Sequence, residues 1–125
     1  MPAHMGARDP ITEADDHLPL KPVVFHILLA LGRADLHGYG VIQAVRDSSG
    51  GRVRVQPGPF YRHLRRLMDD GLVAEAPRRP AGDDPRRGAY YRLTPLGEAV
   101  LQAEADRLSI LVAATRGLGL TERDS

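Results

Sequence analysis

Apolar residues recur at helical spacing in four stretches of the chain and alternate in one. In the first stretch Val24, Ile27, Leu28 and Leu31 stand at i, i+3, i+4 and i+7, one face of a helix. Phe25 and Leu29 add a second stripe, so the spacing predicts a helix over 19–32 that is buried on more than one side. Gly32 is a natural stop. A second helix is predicted over 37–47 from Tyr39, Ile42 and Val45, with Val41 beside them, and Asp47-Ser48-Ser49-Gly50-Gly51 breaks it. Val53-Arg54-Val55 fits a very short strand.

Gln56-Pro57-Gly58-Pro59 reads as a turn and a helix start, with Pro59 suited to the first helical turn. In the helix predicted from about 59 to 70, Phe60, Leu64, Leu67 and Met68 form the side to be buried. Tyr61, Arg62, Arg65, Arg66 and Asp69 form the other side. After Asp70-Gly71, residues 72–76 and 89–93 read as paired strands, Tyr91 and Leu93 alternating with Tyr90 and Arg92. The loop between them carries arginine pairs at both bases and an acidic tip. Thr94 and Pro95 open a last helix that runs to about Arg116, before Gly117 and Gly119. About 22 helical residues span roughly 33 Å.

This order predicts a mainly α fold with a small β-hairpin, a winged helix-turn-helix followed by a long C-terminal helix. Residues 1–18 hold Pro2, Gly6, Pro10 and scattered acids without an apolar period, and are expected to be a mobile tail. Residues 19–94 are expected to form the winged-helix domain, 95–116 a dimerisation helix and 117–125 a second tail. On the last helix Leu101, Leu108, Leu111 and Val112 line one face, and Leu96, Val100 and Ala103 another. So small a domain cannot cover all of it, and a second copy of the chain is the economical cover.

Charge adds direction to this outline. The formal net charge of the 125 residues is only +1, but its distribution is uneven. Ten arginines and five acids fall between Arg52 and Arg92, a local excess of +5, while the rest of the chain is net negative. Arginine is a planar fork suited to phosphate and to guanine edges. A GC-rich genome would account for arginine over lysine, but not for the clustering in one half. The long apolar run from Val23 to Leu31 is too short for a membrane span, and the acidic start is unlike an export signal, so a cytoplasmic protein is expected.

No catalytic constellation stands out. There is no Cys, which removes thiol chemistry and cysteine-bound metal. The five histidines show no metal-ligand spacing. Adjacent acids at 15–16, 69–70 and 83–84 read as caps and solvated turns. Gly38 and Gly40 lack the third glycine of a dinucleotide fingerprint, Gln43 standing in its place, and read as close-packing positions. Tyr39, Tyr90 and Tyr91 read as structural. Neither an enzyme, a cofactor nor a metal is expected.

Four motifs in order carry a family resemblance: His37-Gly38-Tyr39-Gly40; the run from Pro57 to Leu67; Asp70-Gly71-Leu72-Val73; and the run from Tyr90 to Gly97. Over about residues 20–110 the chain resembles the PadR family of transcriptional regulators, in its short subgroup with a single C-terminal helix. The resemblance implies a homodimeric winged-helix repressor that binds double-stranded DNA and is paired through that helix. Carried over by position, Tyr61, Arg62 and Arg65 would face DNA from the recognition helix, and Arg86 and Arg87 would belong to the wing. The charge pattern adds Arg66, Arg78 and Arg79. A small-molecule effector between the long helices is a further expectation of the resemblance. Two departures bear on it. Pro59 and Phe60 stand where the family usually has a hydroxyl residue and Leu, and Pro59 offers neither a hydroxyl nor an amide hydrogen to a phosphate. The absence of Trp removes the aromatic stacking site used by some members. A dimeric winged-helix adaptor that meets an acidic protein with the same arginine face remains the alternative, and competition by duplex DNA separates the two.

Overall fold

A computed structural model describes residues 10–120; of the tails expected at 1–18 and 117–125, residues 1–9 and 121–125 lie outside these. The core forms around α2 (Pro22–Arg33), whose Ile27, Leu28, Ala30 and Leu31 are buried, as their helical spacing requires. Two helices close on it: α3 (Gly38–Ser48) with Val41 and Val45, and α4 (Pro57–Asp69) with Phe60, Leu64 and Leu67. Leu72, Val73, Leu93 and Val100 complete the same cluster. It is aliphatic apart from Phe60, in line with a chain that has two Phe and no Trp.

The sheet has three antiparallel strands, not two. β3 (Tyr90–Leu93) lies between β1 (Leu36–His37) and β2 (Val73–Glu75), pairing Leu36 with Tyr91 and Val73 with Leu93. The strand expected at 53–55 does not form. The Ser49 side chain instead accepts the Val53 N–H at 2.9 Å and donates to its carbonyl, folding the segment back onto α3. Val53 and Val55 still lean on the core, which explains their apolar character without a strand.

The last helix, α5 (Pro95–Arg116), opens where Thr94 accepts the Gly97 N–H at 3.0 Å. Gly97 has no room for a side chain, because a Cβ there would lie 2.0 Å from the Leu72 carbonyl oxygen. That contact seats α5 against the end of α4 and the start of β2. Gly97, Val100 and Glu104 are buried, whereas the turns from Ser109 onward are exposed all round. Among the described residues no helix is long and apolar enough to cross a membrane.

Residues 10–18, expected to be tail, are part of the fold. A short α1 (Pro10–Asp15) packs on α5 with Ala14 buried, and Leu18 and Leu20 reach the core. Six helical residues are too few to reveal a period in sequence. The segment is tied down by Glu104, a buried carboxylate on α5 that accepts the Leu20 N–H at 2.7 Å. Arg107 donates to the same carboxylate through Nε and Nη2. The Arg107 hydrogen bonds hold the Glu104 carboxyl below its ordinary range against the opposing effect of burial, and the Leu20 amide adds to them.

Two outcomes follow for stability. Gly97→Ala forces helix and backbone apart and should cost about 1–3 kcal/mol, read as a lower urea midpoint. The depressed Glu104 pKa stabilises fully above the ordinary glutamate value of about 4.3, and this contribution is lost as pH falls through the lower folded value. Glu104→Gln is therefore less stable near pH 7, and its stability falls less than that of wild type between about pH 6 and pH 3.

Candidate nucleic-acid interface

The apolar stripe of α4 is locked into the core, so its opposite side has a fixed outward direction. Tyr61, Arg62, Arg65, Arg66 and Asp69 line a shallow depression there, together with Gly58. Arg62 and Arg65 make no hydrogen bond or ion pair within the described residues. Arg66 pairs with Asp70 at 3.3 Å in the open, an arrangement of little strength. Met68, expected on the buried side, is exposed at the margin of the stripe. His63 adds little charge to this helix, because burial, then Lys21 and Arg62, lower its pKa.

Helix α4 begins at Pro57, two residues before the expected start, and this matters for anion binding. Pro57 and Pro59 have no N–H, and the Phe60 N–H bonds to the Gln56 carbonyl at 2.9 Å. In its first three residues only Gly58 offers an amide to an incoming phosphate. A helix start ordinarily leaves several N–H groups free for an anion, and this one leaves a single amide in that stretch.

The glycines of the His37-Gly38-Tyr39-Gly40 motif are seats for rings. A Cβ on Gly38 would lie 2.3 Å from the Tyr61 hydroxyl, and one on Gly40 2.7 Å from His37 Nδ1. Tyr61 is thereby held across the start of α3, half of it still exposed. The His37 ring stacks on Tyr90 with centroids 5.3 Å apart. Tyr39, expected to be structural, is exposed on the surface although it keeps step with Ile42 and Val45. His37, Tyr39, Gln43, Tyr61, Arg86 and Arg87 line one concavity, so the start of α3, the side of α4 and the base of the wing form a continuous surface. Gln43 carried no signal of its own in the sequence beyond standing one helical turn from Tyr39.

The wing loop, residues 77–88, is folded. A single 3-10 turn at Pro85–Arg87 is capped by the Asp84 side chain, which accepts the Arg86 N–H at 2.9 Å. Asp83 was expected at a solvated tip, yet its side chain is almost wholly buried. It accepts from Arg87 at 2.8 Å, from the Tyr90 hydroxyl at 2.9 Å and from Arg79 at 3.4 Å. Of the predicted wing arginines, Arg79, Arg86 and Arg87 are thus paired within the loop, and Arg78 is not. Tyr90 is buried and structural, as expected.

The residues expected to pair two chains separate into two groups. Leu101 packs against the core of its own chain, within reach of Leu93 and Gly32, and Leu108 is half-buried. Leu111 and Val112 are exposed, and Ile110, Leu118 and Leu120 beside them are more so.

Residues 27–103 match a family described as the transcriptional regulator PadR-like family. No curated protein matches the chain. Among solved structures, it is similar to a PadR family transcription regulator from Clostridium difficile. The identity is 19%, with 78% of this chain and 98% of that one covered, at a TM-score of 0.64. A PadR-like transcriptional regulator from Bacillus cereus is 17% identical over 80% of this chain and 93% of that one, at a TM-score of 0.66. A transcriptional regulator from Clostridium thermocellum is 21% identical, covering 76% and 90%, at a TM-score of 0.60. At these identities the structural likeness speaks for the winged-helix fold.

The folded wing has a measurable signature. Burial alone would raise the Asp83 carboxyl, but the Tyr90 hydroxyl and the Arg87 and Arg79 guanidiniums outweigh it and depress the pKa. Asp84 is depressed chiefly by the Arg86 side chain and amide. A carboxyl-carbon NMR titration should give midpoints for both below the ordinary aspartate value of about 3.9. Midpoints at that value would mean that the loop is open in solution.

Proposed function

The chain belongs to the PadR-like family of transcriptional regulators, and from that premise we propose that it is a homodimeric repressor reading an operator with two half-sites. On this reading residues 19–94 are the DNA-binding unit, 95–116 the dimerisation helix, and the protein works in the cytoplasm. The observation that carries the proposal is the pair Arg62 and Arg65, unpaired and beside Tyr61 on a helix whose other side is fixed in the core. A major groove about 12 Å wide admits such a helix, and unengaged guanidiniums suit guanine edges. Arg66, Arg78, Arg79, Arg86 and Arg87 extend the positive surface toward the flanking backbone. With Pro59 in place of a hydroxyl residue and one free amide at the helix start, backbone contacts pass to Tyr39, Gln43 and the wing.

The exposed end of α5 supports pairing of two chains. Leu111 and Val112, with Ile110, have no cover within the described part of their own chain. Isologous packing of this end against a second copy would cover them and set two α4 helices about 34 Å apart, one turn of DNA. A small molecule taken up between the paired helices would shift their spacing and release the operator.

The test is a mobility-shift titration against the DNA upstream of its own gene, with random duplex as control. Preferential, salt-sensitive binding is expected. Arg62→Ala and Arg65→Ala should each lose about 1–3 kcal/mol of binding to that DNA with unchanged thermal unfolding. If both bind as wild type does, α4 is not the reading element. Leu111→Asp should turn a dimer into a folded monomer by sedimentation. No binding of duplex at low salt would favour the protein-interaction adaptor.

A further inference from the structure

Four arginines and two carboxylates share the wing loop. In an open loop all four arginines would be available to a duplex, but three already hold a partner. Asp83 binds Arg87 and Arg79, and Tyr90 buttresses it. Asp84 takes the Arg86 guanidinium at 3.0 and 3.1 Å. Arg79 also donates to the Asp84 carbonyl at 2.7 Å, closing the cluster. These arginines are engaged without being hidden. The Arg86 side chain is 90% exposed and that of Arg87 53% exposed, and both line the concavity shared with Tyr39, Gln43 and Tyr61. The wing thus brings cations to the surface that would meet a duplex and supplies their counter-charge from the chain itself.

We infer that Asp83 and Asp84 are specificity-determining residues that hold the wing arginines in reserve and weaken binding to duplex lacking the operator sequence. This deepens the DNA-binding reading and rests on it. Each exposed pair is weak in itself, but a carboxylate fixed beside an arginine offsets its charge and opposes the approach of a phosphate. On a random duplex, where α4 is not seated, the wing keeps its internal pairs and neutralises few phosphates. On an operator, α4 in the groove presses the wing against the backbone, and the exchange occurs at close range. The carboxylates therefore subtract from the sequence-independent part of affinity more than from the specific part. Arg78, which no carboxylate among the described residues holds, is the wing cation that acts on any duplex.

The experiment uses the full chain and fluorescence anisotropy with a labelled random duplex and a labelled upstream duplex, over a range of KCl concentrations. Asp84→Asn removes the charge and keeps an oxygen for the Arg86 N–H; Asp83→Asn keeps an acceptor for Tyr90. In either variant, affinity for random duplex should rise about three- to tenfold, and the log–log salt slope should steepen by about 0.9 per freed arginine. Affinity for upstream duplex should rise less, so the ratio between the two falls. Unchanged random-duplex affinity and slope in both variants would overturn the inference. Weaker binding to both duplexes would also overturn it, since the carboxylates would then only shape the loop. If Asp83→Asn does not fold, Asp84→Asn, at the more exposed position, decides alone. Wild-type protein that binds neither duplex at the lowest salt would instead overturn the DNA-binding reading, and the inference with it.

Discussion

The burial of Phe60, Leu64 and Leu67 along one side of α4 is the constraint on which the functional surface depends. Three apolar side chains at helical spacing fix the rotation of the helix about its axis. They therefore fix where Tyr61, Arg62 and Arg65 point. A solvated arginine helix without that anchor could turn and would specify nothing. Gly38 refines the geometry by giving Tyr61 a seat on α3, and Gly97 holds α5 against the Leu72 carbonyl at the far end of α4. At Gly97 a side chain would collide with backbone, and at Gly38 it would displace the Tyr61 ring from its seat.

Charge is handled differently in the three parts of the molecule. On α4, Arg62 and Arg65 have no partner among the described residues. In the wing, Asp83 and Asp84 hold three arginines close to the surface that the helix shares. Inside, Glu104 joins α5 to the segment before α2 by pairing with Arg107 and the Leu20 amide. A buried carboxylate left without those partners would be costly, so the pair fixes the path of residues 16–21 more than it adds net stability. The same chemistry, guanidinium with carboxylate, thus serves as a structural tie on α5 and, on our inference, as a reserve of charge in the wing.

Much of this was legible in the sequence wherever a local period exists. The apolar spacing in α2 and α4, the alternation in β3 and the Thr94-Pro95 start of α5 each have a signal within a few residues. The family motifs pointed to α4 and the wing by position. What escaped depends on partners far apart in the chain. β1 has two residues, too few to alternate, and exists because Leu36 and His37 meet Tyr91 and Tyr90. Glu104 looked like any polar residue on a long helix until Leu20 and Arg107 met it. Asp83 and Asp84 looked like a solvated turn because pairing with Arg79, Arg86 and Arg87 is a property of the folded loop. Tyr39 keeps step with Ile42 and Val45, yet it faces solvent.

The central claim is that the unpaired arginines of α4 are the ones that read DNA. Its most direct test is to follow the arginine Nε–Hε signals by NMR while the upstream duplex is added to the intact protein. The account predicts that Arg62 and Arg65 shift or broaden at the lowest duplex ratios, while Arg33, at the end of α2, and Arg116, at the end of α5, stay in place. Early changes at Arg33 or Arg116 with Arg62 and Arg65 unmoved would contradict it and place any nucleic-acid contact on another face.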